Sequence, residues 1–230
     1  MGREVEAIAV QRGHQIVARF DIHQPPTTQN LPPTTDVLID FSTADAVLDH
    51  ARLAADVGVP LVEGTTGWED RRKDVCAIPG LTMIYSPNFS IGVYHFAKLA
   101  EEAARRFGKI AGYDAFIHEV HHAGKVDAPS GTALALARRM LPFLPQKKRI
   151  LPGNPDGKIP GDALHVSSSR VGTVFGRHIV GFDSPYDIVE IRHEAKSRQG
   201  FAFGAVLAAE WIVSRNGIFT MDEFVADLLK

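Results

Sequence analysis

The sequence predicts an α/β chain of two domains, and three observations lead there. The first half alternates short apolar strands with helical patterns, as βαβ units around a parallel sheet do. Beyond Tyr113 several strands follow one another, which points to a second, α+β domain with a mixed sheet. Two helical runs, QGFAFGAVLAAEWIVSRNG and TMDEFVADLLK, close the chain. At 230 residues and 45% apolar composition the chain can bury a sizeable core.

Taken in order, MGREVEAIAVQRG reads as an amphipathic helix with Val5, Ile8 and Ala9 on one face, stopped by Gly13. HQIVARF reads as a strand. IHQPPTTQNLPPTT, rich in Pro, Thr and Gln, reads as an irregular surface loop. TDVLIDF, PLVEG and LTMIYS read as strands, separated by helices over TADAVLDHARLAADVG and WEDRRKDVCAI. A longer helix over VYHFAKLAEEAARRFG ends at Gly108. DAFIHEVHH is then a strand and SGTALALARRML a helix. PFLPQKKRILPGNPDGKIPGD, dense in Pro and Gly, reads as one long loop, either a solvated excursion or an arm over a site or neighbouring subunit. HVSSSRV, TVFGRHIVGF and YDIVEIRHEA are neighbouring strands, and Thr220 is a candidate N-cap for the last helix.

Charge and hydropathy narrow the function. A net charge of −2 with mixed signs offers no basic stripe for nucleic acid. The apolar stretch FAFGAVLAAEWIV is interrupted by Glu210 before it reaches spanning length, and the N-terminus lacks a signal peptide's order, so the expectation is a cytoplasmic protein without a membrane partner. Cys76 is the lone cysteine and reads as a small apolar residue in a reducing compartment.

The stretch richest in chemistry is HEVHHAGKVDAPSGTALALA. On a strand His118, Val120 and His122 share one face, while Glu119 and His121 share the other. Lys125 follows in a turn. Asp127-Ala-Pro-Ser-Gly-Thr reads as a helix entry in which Pro129 takes an early position, Ser130 caps, and Gly131 with Thr132 leave backbone N–H groups open to a carboxylate or phosphate. An imidazole, an ammonium and an anion-binding helix end within a dozen residues suit the gripping and protonation of a small anionic substrate. Zinc is the rival reading for His118 and His122, but no third ligand is evident, and no metal is expected.

Glu119-Val-His-His-Ala-Gly-Lys-Val-Asp-Ala-Pro-Ser-Gly-Thr-Ala133 resembles the signature of the dihydrodipicolinate (4-hydroxy-tetrahydrodipicolinate) reductase family of lysine and diaminopimelate biosynthesis. Asp40-Phe-Ser, Gly64-Thr-Thr-Gly67, Ser86-Pro-Asn-Phe-Ser90 and Arg192-His-Glu-Ala-Lys-Ser-Arg198 agree in order, so the resemblance spans essentially the whole chain. It implies a Rossmann-like dinucleotide-binding domain over 1–89 and 204–230, and a substrate-binding and tetramerisation domain over 90–203. Reduction would occur in the cleft between them, within a homotetramer. It also implies that His121 is the proton donor and Lys125 its cationic partner, that His122 contacts a small anionic cyclic substrate, and that Gly131 and Thr132 hold a substrate carboxylate. On the cofactor side it implies Gly64, Thr65 and Thr66 after one strand and Ser86, Pro87, Asn88 and Phe89 after the next. The cofactor would be NADH or NADPH. Asp21, at the end of HQIVARF, suits ribose hydroxyls, and with Ile22 and His23 after it rather than a strong cation the reading favours NADH.

Two departures qualify the resemblance. Met1-Gly2-Arg3 looks like the end of the family's glycine-rich turn, with Met1 and Gly2 as cofactor-binding positions, while the strand and glycines before it are missing; the expectation is a natural start upstream of an internal Met. Phe175 and Arg177 flank Gly176 where the family often carries Gly-Glu-His. The alternatives are a non-enzymatic form that keeps the oligomer surface, and a related nicotinamide oxidoreductase acting on another imine or amino acid.

Overall fold

A computed structural model describes all residues, 1–230. In chain order the elements are α1 (Gly2–Gln11), β1 (Leu38–Asp40), α2 (Val47–Val57), β2 (Leu61–Glu63), α3 (Arg72–Cys76), β3 (Met83–Tyr85), α4 (Ile91–Phe107), β4 (Asp114–His121), α5 (Gly131–Met140), β5 (Arg149–Pro152), β6 (Ala163–Arg170), β7 (Arg177–Asp183), β8 (Ile188–Glu194), α6 (Gln199–Ile212), β9 (Ile218–Phe219) and α7 (Met221–Leu228). They form two compact units, Met1–Ile91 with Arg198–Lys230, and Gly92–Ser197.

The first unit holds a parallel sheet in the order β1-β2-β3-β9. Leu61, Val62, Met83 and Ile84 are all buried, because βαβ crossovers cover both faces of such a sheet. Val47, Ala51 and Ala54 of α2 join Leu61, Trp68, Val75, Leu81 and Met83 in one cluster. Val5, Ile8 and Ala9 of α1 pack with Ala202 and Val206 of α6 in another. Gly204 is what lets α6 pass the loop after β3: a Cβ there would lie 1.8 Å from the Phe89 carbonyl oxygen. Gly58 ends α2 at φ +70, a conformation that glycine adopts without strain.

Several expectations are corrected here. Residues 14–20, read as a strand, are irregular and join no ladder. Their alternation survives, with Ile16, Ala18 and Phe20 half-buried and Val17 and Arg19 exposed, but β1 has β2 as its one neighbour, so 14–20 have no partner in this sheet. Side-chain pattern marks a surface fit for a strand, and the ladder needs a second chain segment. The helix read over WEDRRKDVCAI is a 3-10 turn (Glu69–Arg71) followed by the five-residue α3, anchored where Trp68 Nε1 donates to the Thr65 carbonyl at 2.9 Å. The two-residue β9 went unread because NGIF is too short to show a period.

The second unit holds a five-stranded sheet, β5-β6-β4-β7-β8, in which the β5–β6 and β6–β4 pairs are parallel and β7 alone runs the other way, antiparallel to both β4 and β8. Phe96, Ala100 and Ala104 of α4 and Leu136, Ala137 and Met140 of α5 pack with Ile117, Leu164, Val166, Val180 and Phe182. The stretch read as one long loop contains β5, paired in parallel with β6 through Ile150 and Leu164. Its Pro152 is tolerated because β5 is an edge strand, where a missing N–H costs the ladder little. The strand read from Thr173 begins at Arg177. Pro129 lies before the cap rather than inside α5.

Candidate active site

β4 carries the centre of the site. Alternation sends Glu119 and His121 to the same face, and Glu119 is 0% exposed. His121 Nδ1 and Glu119 Oε2 share a short hydrogen bond. Arg170, at the end of β6 and opposite His121 in the parallel register, grips the same carboxylate twice, at 3.1 Å to Oε2 and 2.8 Å to Oε1. The Ser130 backbone N–H adds a bond to Oε1 at 3.2 Å. Burial works against the charge on Glu119, but the bonds from Arg170 and His121 outweigh it and hold the carboxyl below its ordinary range.

The imidazole is poised in the other direction. Burial lowers the His121 pKa, and the Glu119 bond opposes it without overcoming it. Lys125 and Arg170 push the same way as burial. Behind it His178 of β7 stands 5.2 Å away, ring edge to ring face, and its Nε2 meets Ser130 Oγ at 3.2 Å. Burial and the neighbouring His121 take His178 down to about 4. The free edge of His121 faces Gly176, where a Cβ would stand 2.9 Å from Nε2.

The turn after β4 carries Lys125 and leads into the start of α5. Lys125 Nζ lies 2.6 Å from Asp127 Oδ1, a bond that chiefly keeps Asp127 below its ordinary pKa. Ser130 caps α5, its Oγ accepting from the Ala133 N–H at 3.3 Å. Gly131 is exposed and Thr132 half-buried, nothing stands within 4 Å of the position a Gly131 Cβ would take, and the Gly131 N–H faces the Asp127 carboxylate. His122 sits one residue past the strand, half-buried, with its carbonyl accepting from the Lys125 N–H at 3.1 Å. The end of β4, the turn after it and the start of α5 thus carry His121, Lys125, Gly131 and Thr132, with Glu119 bonding both His121 and the Ser130 N–H. His118 points elsewhere and bonds Ser167 Oγ through Nδ1 at 2.8 Å.

In the first unit the loops after adjacent parallel strands lie side by side. Gly64, Thr65 and Thr66 follow β2, and Ser86, Pro87, Asn88 and Phe89 follow β3. Gly64 packs so closely on Phe41 that a Cβ would come within 2.2 Å of its ring. Asp40 Oδ1 accepts from the Ser42 N–H at 2.7 Å and Oδ2 from His50 Nδ1 at 2.6 Å, while Glu63 Oε1 accepts from the Thr65 N–H at 2.7 Å. Burial works against the charge on Asp40, but the bonds from His50 and Ser42 leave it below its ordinary range. Ser86 Oγ accepts from the Asn88 N–H at 3.1 Å, and Phe89 is buried edge-to-face on Phe41. Met1 and Gly2 open α1, which no side chain caps. Asp21 ends no strand: its Oδ1 accepts from the N–H groups of His23 at 2.8 Å and Gln24 at 3.1 Å.

Sequence reasoning missed the roles of Arg170, His178, Asp40, His50 and Glu63. Arg170 and Glu119 are 51 positions apart, and only the β4–β6 register makes them neighbours.

Two family models match the chain, described as dihydrodipicolinate reductase, N-terminus, over residues 1–89, and dihydrodipicolinate reductase, C-terminus, over residues 92–225. A 4-hydroxy-tetrahydrodipicolinate reductase of Christiangramia forsetii is 37% identical over 233 residues, covering 100% of this chain and 95% of that protein. One from Archaeoglobus fulgidus is 39% identical over 249 residues, covering 98% and 95%. Among solved structures, a dipicolinate-bound dihydrodipicolinate reductase from Paenisporosarcina sp. TG-14 shares the fold, with a TM-score of 0.73, 23% identity and coverage of 95% and 92%.

Proposed function

This chain belongs to the dihydrodipicolinate reductase family, and from that premise we propose that it reduces 4-hydroxy-tetrahydrodipicolinate to tetrahydrodipicolinate with a nicotinamide cofactor, in lysine and diaminopimelate biosynthesis. The observation that carries the reading is the grouping of His121, Lys125 and the start of α5 around the buried Glu119. The overall change adds a hydride and a proton to the substrate and releases water. The substrate is a dianion. Lys125 supplies charge to one carboxylate, and the N–H groups of Gly131 and Thr132 receive the other at the positive end of α5. His122, at the start of the turn, contacts the substrate. A dianion next to His121 raises its proton affinity, so Nε2 takes up the proton it then delivers.

The residues of the first unit fit a dinucleotide in part. The uncapped α1 start at Met1 and Gly2 offers free N–H groups to a pyrophosphate, and the loops Gly64-Thr65-Thr66 and Ser86-Pro87-Asn88-Phe89 stand at the carboxyl ends of parallel strands, where such folds take ligands. When bound, the nicotinamide supplies the hydride. We read the cofactor as NADH: Asp21 is available to ribose hydroxyls through Oδ2, and Arg19, the cation nearest in sequence, is tied to Glu6 at 2.8 Å. A cytoplasmic homotetramer built through the mixed sheet completes the reading. Exposed Tyr186, Ile188 and Val189 at its β8 edge support that surface.

The test is turnover of freshly generated 4-hydroxy-tetrahydrodipicolinate, followed by loss of reduced-nicotinamide absorbance with NADH and with NADPH in parallel. Turnover that is faster with NADH is expected. Activity only on other imines or amino acids would favour a related oxidoreductase, and intact tetramers that bind no NADH would favour the non-enzymatic form.

A further inference from the structure

Glu119 is closed off from solvent between β4, β6 and the start of α5. It is fully buried and bonds His121 Nδ1, both terminal nitrogens of Arg170, and the Ser130 N–H. A carboxylate that accepts only N–H donors forces the proton of a neutral imidazole onto Nδ1, because the opposite tautomer would set a lone pair against a negative oxygen. The other nitrogen, Nε2, makes no hydrogen bond within the chain and lies against Gly176, where even a methyl group would crowd it at 2.9 Å. The same Glu119 oxygen that bonds Ser130 ties the start of α5 to β4, so one carboxylate orients both the imidazole and that helix start.

The geometry points to Glu119, charged and clamped by Arg170, as the positioning residue that fixes His121 in its Nδ1–H form with Nε2 free toward the substrate, and to Gly176 as the residue that keeps that edge clear. This inference rests on the proposed function for the identity of the reaction. Glu119, Lys125, Arg170 and His178 are the charged or titratable groups facing the imidazole, and His193 stands behind His178. Removing the Glu119 charge withdraws the one interaction that raises the His121 pKa.

Glu119→Gln is the direct variant. kcat is expected to fall at least ~100-fold, as happens when the orienting carboxylate of a catalytic histidine is neutralised, with KM changed far less. The residual pH profile moves to lower pH, and Glu119→Asp recovers part of the rate. Nitrogen NMR of the histidine rings in the resting wild-type protein is expected to show His121 protonated at Nδ1. Gly176→Ala, which leaves Glu119 in place, is expected to lower kcat by covering Nε2 while that NMR signature persists. A folded Glu119→Gln protein with unchanged kcat and pH profile, or a wild-type His121 protonated at Nε2, overturns the proposal. The NMR result stands whether or not the wild type turns over this substrate, so a failure of the functional reading is told apart from a failure of the positioning role.

Discussion

Glu63 shows how one side chain gives the chain a pH response. It is buried at the end of β2 beside Asp40, its Oε2 meets no partner, and burial with the Asp40 charge pushes its pKa from 4.5 up to about 8. The folded protein therefore keeps a proton that the unfolded chain releases above its ordinary value. Stability from this group is full below that value and declines as pH rises toward the folded pKa, by at most about 1.4 kcal/mol per pH unit. His50, raised chiefly by its bond to Asp40, declines in the same direction. Glu63→Gln removes only the first part, so calorimetric melting of wild type and variant between about pH 6 and pH 8 should show a steeper loss in the wild type. In the proposed substrate site, Lys125→Met removes the ammonium now paired with Asp127. Steady-state kinetics should show KM raised by at least ~10-fold, the loss of a charge-assisted bond of roughly 1.5–3 kcal/mol. An unchanged KM would take Lys125 out of the binding site.

Elements differ in how much of their cause is local. The start of α5 was legible, because Ser130-Gly131-Thr132 carries its own capping chemistry. So was α7, where Thr220 Oγ1 accepts from the Asp222 N–H at 3.3 Å and Glu223 accepts from the Thr220 N–H at 2.9 Å. Thr220→Ala should cost about 1 kcal/mol in denaturant titration, through loss of that capping box. Residues 14–20 were misread for the converse reason: their side chains alternate as a strand's do, yet a ladder depends on what lies alongside. β5 was hidden by the prolines and glycines around it, and its pairing with β6 is a non-local fact. The same holds within the site. His121, Lys125 and Gly131 were visible as one motif, whereas Arg170 and His178 arrive from other strands by register.

At the scale of the whole molecule, each unit has its own buried cluster, but only one is a continuous stretch of chain. Gly92–Ser197 is uninterrupted, and the other unit is assembled from Met1–Ile91 and Arg198–Lys230. The late segment brings Ala202 and Val206 of α6 against α1 and adds β9 to the edge of β3. Domains emerging from a ribosome ordinarily fold in order from the N-terminus. Here the order is altered: residues 1–91 are made before the segment 198–230 that completes their unit. Released chains ending at Ser197 should carry a protease-resistant middle and a digestible N-terminal part, and protection of both at that length would contradict this. During synthesis, the half that awaits its closing helix is the half exposed to chaperones, so translation speed past Ser197 sets how long it needs them.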